Sequence, residues 1–345
     1  MTGLSASWVR LVSSARLQRS SQVLSIVSSK ACIFGGELLP RQPVDNRVDV
    51  IDLSPEVSEV KVETLPTPDL APSPRVGTAS VTINDHIWLF SGRGGVAMDP
   101  VDEKGDLWRY TPSTAKWDLI RVKSVAYPES RSYHAMASDG KKTIYLHAGC
   151  PAQGRLSDLW AFDTEAHTWT ELPAAPGPAR GGTSIAFCQG KLYRMGGFDG
   201  NSEQGGELDT YDTGSNTWQT LKFEPDGIHG PGARSVATLL VIKTPAGQDA
   251  LVTMFGERDP SALGHAGAGK MLSDVWAFDL QGAEWTKVSI SGDAVPAARG
   301  WFDADVFKGR DGDDVVVHGG LAGDNTRLGD VWKLVFELVD AVGAA

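Results

Sequence analysis

Residues 255–269 read Phe-Gly-Glu-Arg-Asp-Pro-Ser-Ala-Leu-Gly-His-Ala-Gly-Ala-Gly. Glu257, Asp259 and His265 thus bring two carboxylates and an imidazole into one glycine-rich loop. One imidazole with one or two carboxylates and open positions suits non-haem ferrous iron that must bind an exogenous ligand. A metal held there would polarise a bound oxygen or sulfur atom. Without metal, Glu257 or Asp259 is a candidate general base. The plain alternative is a surface turn at Asp259-Pro260-Ser261, with His265 closing the glycine segment. Arg93 follows a strand-ending glycine and precedes Gly94 and Gly95. Its guanidinium fork suits a sulfate or carboxylate clamp; an ordinary solvated loop arginine is the competing account.

These residues need a scaffold, and internal repetition supplies it. The loop joins two apolar runs, Leu251-Val-Thr-Met-Phe255 and Asp274-Val-Trp-Ala-Phe-Asp279, and this run, glycine, loop, run unit occurs six times. Its glycine ends are Ile33-Phe-Gly-Gly36, Ile87-Trp-Leu-Phe-Ser-Gly92, Ile144-Tyr-Leu-His-Ala-Gly149, Leu192-Tyr-Arg-Met-Gly-Gly197, Met254-Phe-Gly256 and Val315-Val-Val-His-Gly-Gly320. Such glycines let inner strands approach closely around a crowded axis. Four units close with a tryptophan segment, at Trp117, Trp169, Trp218 and Trp285; the first has a degenerate version, Val60–Leu65. Each tryptophan is expected to fill the wedge between neighbouring blades, burying on the order of 200 Å².

The sixth unit lacks that segment, while Trp8-Val-Arg-Leu11 has its pattern and precedes the first unit. Placing this strand on the outside of the last blade leaves no open edge. The predicted architecture is all-β, a six-bladed β-propeller spanning 1–345 as one domain. Its blades fall at about 16–66, 72–122, 128–174, 178–224, 232–290 and 297–335 plus 7–12. Arg75, Arg131, Arg180, Arg234 and Arg299 recur at the start of first strands and are expected to hydrogen-bond from blade to blade. His134, His147 and His318, at or near strand ends, read as structural.

Composition narrows the function. A net charge of -11 argues against nucleic acid and anionic membrane surfaces. No stretch approaches the roughly 18–20 apolar residues of a membrane span. Cys32, Cys150 and Cys188 are few and odd in number, which fits a reduced compartment, expected to be the cytoplasm. Arginines and serines before Glu37 faintly suggest a transit leader; the closing-strand role of Trp8–Leu11 is the favoured reading.

The units resemble kelch repeats over essentially the whole chain. Phe34–Pro43, Pro74–Thr78, Ser91-Gly-Arg93, Ala233–Val236, Phe255-Gly-Glu257, Ala298–Trp301 and Val317–Gly320 fall in the order seen in the specifier proteins of glucosinolate breakdown. Those are nitrile-specifier, epithiospecifier and thiocyanate-forming proteins, kelch propellers that act with ferrous iron on thiohydroximate sulfates released by myrosinase. The resemblance implies iron on Glu257 and His265. Ser261 stands where the family's middle aspartate falls, with Asp259 two residues earlier as the substitute ligand. It implies Arg93 as sulfate holder, Trp301 as a pocket aromatic and Arg155 as a second anion-binding arginine, with Glu37 on the same face.

The expected function is therefore a specifier-like Fe(II)-dependent lyase or isomerase acting on a small anionic, sulfur-containing substrate, with at most a weak homodimer besides. Two alternatives stand beside it: a metal-independent cyclisation or rearrangement enzyme using the same pocket, and a kelch interaction module.

Overall fold

A computed structural model describes residues 4–54 and 59–338, except for the side chain of His265. Among the described residues there is no α-helix, only two short 3-10 turns, Ala15–Leu17 and Gly264–Ala266. The remainder is an all-β, propeller-like arrangement of sheets. The first sheet begins with Ser20–Val27, the second with Ala79–Ile83, the third with Ala135–Ser138, the fourth with Ser184–Cys188, the fifth with Thr238–Lys243 and the sixth with Asp303–Lys308. In each, the next strands are added antiparallel in chain order.

The last sheet breaks that rule. Leu4–Ser13 pairs antiparallel with Asp330–Leu338, with Trp8 opposite Leu334. It is longer than the four residues of the motif. It is also covered in turn by a parallel strand, Ser289–Ser291, that the repeat pattern did not contain.

Apolar clusters lie between successive sheets. Phe34 packs against Trp117 at 5.2 Å and Phe90 against Trp169 at 5.7 Å. Trp8 stacks on Phe255 at 5.6 Å. Ile33 and Ile51 of the first sheet pack with Val316 and Val331 of the sixth. The tryptophans thus occupy the wedges, except that Trp218 is only partly buried.

The recurrent arginines do hydrogen-bond from sheet to sheet, through their backbone rather than their guanidiniums. Their guanidiniums reach along their own sheet: Arg131 to Asp158, Arg234 to Asp274 and Arg299 to Asp330, each through two bonds. Their backbone carbonyls make the sheet-to-sheet bonds instead, accepting from Gly92, Gly149, Gly197 and Gly256 in the preceding sheet and, at Arg19, from Gly320. This explains the first of the paired glycines: a Cβ on Gly35, at φ 71°, would lie 2.7 Å from the Arg75 carbonyl oxygen. Arg180 has no carboxylate partner among its hydrogen bonds, and burial lowers its pKa to about 10.

Two residues after each arginine the chain turns at the axis. Ser21, Gly77, Tyr133, Gly182, Val236 and Trp301 all have φ between 45° and 61°. Each N–H in this set donates to the carbonyl of another member, and the six bonds form one closed cycle of 2.7–3.1 Å. On one side of this ring runs a 530 Å³ axial channel lined by the inner strands.

Asp303 and Asp305 tie the sixth sheet to the first, accepting the Leu24 and Ile26 N–H groups at 2.6 and 2.7 Å. Burial raises their carboxyls to about 7 and about 6, against about 3.9 unfolded. The folded chain binds these protons more tightly. The linked stability is therefore fully present below about pH 4 and is lost as pH rises through 6 and 7. Asp303→Asn keeps an acceptor but cannot ionise, so it is expected to flatten the fall in Tm between pH 5 and 8. An unchanged slope of Tm against pH would contradict this.

Candidate functional site

Above the ring, the residue that follows each glycine end pairs with the residue just after the arginine of its own sheet. Ser132 exchanges both backbone hydrogen bonds with Cys150, Gly181 with Phe198 and Ser235 with Glu257. Glu37 opposite Ser20, Arg93 opposite Val76 and Leu321 opposite Gly300 are the remaining members. Three of the residues singled out in the sequence, Glu37, Arg93 and Glu257, therefore occupy equivalent places on one rim. Trp301 belongs to the ring beneath.

A pocket of 270 Å³ opens between the third, fourth and fifth units on this face. Its floor is Tyr133, Gly182, Val236 and Trp301 from the ring. Tyr133 and Trp301 meet edge to face at 5.2 Å. Left-handed backbone at Tyr133, Val236 and Trp301 is unusual for such bulky residues and stores strain of order 1–3 kcal/mol each. Gly77 makes room for it: a Cβ there would lie 2.8 Å from the Tyr133 ring.

The walls carry the charge. Arg155 lies over the Phe198 ring at 4.9 Å, and its Nε has no hydrogen-bond partner among the described residues. Glu257 is 5% exposed; its Oε1 accepts the Gly269 N–H at 2.6 Å, and the Trp301 side chain favours its charged form. Burial, reinforced by repulsion from Glu203, raises the Glu257 carboxyl above its ordinary range. Glu203 enters from the fourth unit's loop, held by a bridge to Phe198. Burial raises its carboxyl too, against the N–H groups of Glu203 and Asp259, which favour the charged form. Its Oε1 is buried with no partner among the described residues. Cys150 completes the wall, with its thiol raised by burial.

Other expected members stand elsewhere. The Arg93 guanidinium is consumed by the protein, donating to Ser132 Oγ at 2.8 Å, Pro151 O at 2.7 Å, Met98 O at 3.2 Å and Cys150 O at 3.4 Å. Arg93→Met is accordingly expected to lower stability by about 1–3 kcal/mol, read by urea denaturation, with anion affinity unchanged. A large loss of affinity at wild-type stability would restore it as the clamp. Glu37 accepts the Arg41 N–H at 2.7 Å and meets Arg327 at 3.4 Å, and burial raises its carboxyl.

The carboxylate of Asp259 is 77% exposed and lies 3.8 Å from Arg258 Nε, outside the pocket lining. The His265 side chain lies outside the described residues. Ser261 spends its hydroxyl oxygen on the Leu263 N–H at 3.1 Å. Among the described residues no three His, Cys, Asp or Glu side chains group to hold a metal ion. Of the expected iron ligands whose side chains are described, Glu257 lines the pocket and Asp259 faces solvent.

Sequence reasoning did not find Tyr133, Phe198, Cys150 or Glu203. The first three sit at recurrent offsets, two after the arginine or directly after the glycine end, so the repeat pattern contained them. Glu203 lies in an irregular loop with no such mark.

Fold and site together define a kelch-type chain with a polar pocket on one face. The family model described as the KLHDC2/KLHL20/DRC7 Kelch-repeats domain matches residues 21–256, and the chain belongs to the kelch-repeat family. It is similar to the N-(sulfonatooxy)prop-2-enimidothioate sulfolyase of Thlaspi arvense, 25% identical over 342 residues that cover 91% of each chain. It is thus a divergent relative of the specifier proteins. Adagio-like protein 3 of Oryza sativa subsp. japonica is 26% identical across 95% of this chain, which spans 51% of that protein. Among solved structures YjhT superposes with a TM-score of 0.70 at 14% identity, covering 93% of this chain and 95% of that one. That likeness bears on the fold alone.

Proposed function

We propose that the chain is a specifier-like lyase whose substrate is a small anion bound in the pocket above Tyr133 and Trp301. The observation that carries this is the convergence of one arginine, two carboxylates and three aromatic rings in a single 270 Å³ pocket. The similarity to a sulfolyase along 91% of the chain supports the reaction class.

In this reading Arg155 takes the sulfate or equivalent anion, its planar fork matching two oxygens, and neutralises charge as the anion departs. The Phe198 ring keeps the guanidinium in place beneath it. Tyr133 and Trp301 bound the body of the substrate and exclude water, which strengthens every charge interaction in the site. Glu257 holds or yields a proton at its carboxyl, a role suited to a carboxyl raised by burial. Six sheets, read as six blades closed by Leu4–Ser13, supply the rigid frame; the closed cycle of backbone bonds at the axis supports that count.

The test adds purified chain to myrosinase acting on the glucosinolate that releases N-(sulfonatooxy)prop-2-enimidothioate, with and without Fe(II). A chain-dependent change in product composition is expected. Identical products with and without the chain, in both metal conditions, would refute a specifier-like role.

A further inference from the structure

The carboxylates of the pocket wall lack something that their counterparts have. Asp49, Asp158, Asp209, Asp274 and Asp330 are each met by a guanidinium within 3.0 Å, Glu103 by Arg75, and Glu37 by Arg327 at 3.4 Å. Among the described residues Glu203 and Glu257 have no such partner. Glu203 repels Glu257, while Asp259 and Asp199 repel Glu203. Two desolvated carboxylates, one of them Glu203 with a buried oxygen that has no partner among the described residues, call for a positive charge from outside.

The surroundings decide which kind. A strongly hydrated divalent ion wants several oxygen ligands or retained waters, and among the described residues no three His, Cys, Asp or Glu side chains group to hold one. The pocket instead has aromatic surface at Tyr133, Trp301 and Phe198. Such faces, combined with carboxylates, attract an organic ammonium. Arg155 lines the same pocket over the Phe198 ring, its Nε without a partner among the described residues.

We infer that the Glu203–Glu257 wall receives an organic ammonium group, so that the ligand of this pocket is a small zwitterion whose anionic end lies on Arg155. The inference rests on the pocket being the substrate site and names the class of substrate it takes. The carboxylate wall would select for the second charge, since binding both ends in one molecule makes the second contact intramolecular.

Three probes test it on the full chain by calorimetry and thermal shift at constant ionic strength: propylammonium, propanesulfonate and 3-aminopropanesulfonate. The aminosulfonate is expected to bind at least about tenfold tighter than either half. Glu203→Gln should remove propylammonium binding and leave propanesulfonate binding intact, and Arg155→Gln should do the reverse. Glu257→Gln serves as a second wall variant should Glu203→Gln lower Tm. Equal affinity for propanesulfonate and its amino derivative would overturn the inference, as would propylammonium binding that survives both wall variants. So would stoichiometric Fe(II) binding that excludes propylammonium. Retained propylammonium binding with no sulfonate binding would instead overturn the anion role of Arg155 and leave the ammonium wall standing.

Discussion

Glu257→Gln is expected to lower kcat/KM for N-(sulfonatooxy)prop-2-enimidothioate by about 10²- to 10⁴-fold, with Tm close to that of the wild type. The amide has the shape of the carboxyl, and its oxygen still accepts the Gly269 N–H that Glu257 Oε1 takes at 2.6 Å. The loop is therefore held as before, while the proton-exchanging group is gone. The burial that raises the Glu257 carboxyl is the same burial that makes it useful. A loss of activity accompanied by an equal loss of Tm would make Glu257 a support of its loop and nothing more. Wild-type turnover in the variant would move the chemistry elsewhere.

The second large effect concerns stability. Asp49→Ala is expected to destabilise the fold by about 3–5 kcal/mol. Asp49 and Arg19 are both fully buried and meet at 2.7 Å; Arg16 and Thr64 bond the same carboxylate at 2.8 and 2.6 Å. Removing Asp49 leaves Arg19 buried without its bonded carboxylate, in the segment where the chain's beginning meets the last sheet. There Ser14 N–H donates to Gly329 O, Arg19 N–H to Leu328 O, and His318 Nε2 lies 3.0 Å from Leu17 O. Asp118→Ala, which breaks the half-exposed pair with Arg109, is expected to cost at most about 1 kcal/mol. Urea denaturation of the two variants side by side checks the contrast. Similar losses in both would mean that the buried pair does not hold this junction.

Much of this was legible because the fold is repetitive. A tryptophan followed by Leu in a short strand, a glycine end and an arginine before each inner strand recur, and each recurrence has one physical cause. The glycines face a carbonyl of the next sheet, the arginines neutralise acids beneath the rim, and Trp8 shows where the first strand returns. The extra strand Ser289–Ser291 carries no such mark, since three residues with alternating serines read equally well as linker.

The site was legible only in part. Glu257 and Trp301 occupy repeat positions that face the pocket, so residue type and position agreed. Arg93 occupies the same position as Glu257, yet its long side chain turns into the neighbouring carbonyls, which no spacing rule could show. Asp259 was placed by analogy with a ligand spacing, and the left-handed turn it adopts, at φ 50°, goes with a carboxylate facing solvent. Glu203 reaches the pocket through the bridge between its loop and Phe198, a tertiary pairing invisible in one dimension.

The central claim is that substrate binds above Tyr133 and Trp301 with its anion on Arg155. A crystal structure of the chain with a stable sulfonate analogue of N-(sulfonatooxy)prop-2-enimidothioate tests it most directly. The account predicts sulfonate oxygens at hydrogen-bond distance, about 2.7–3.2 Å, from the Arg155 guanidinium, and the analogue's body against the two ring aromatics. A sulfonate seated on Arg93, or an analogue in the axial channel beside Asp303, would contradict it.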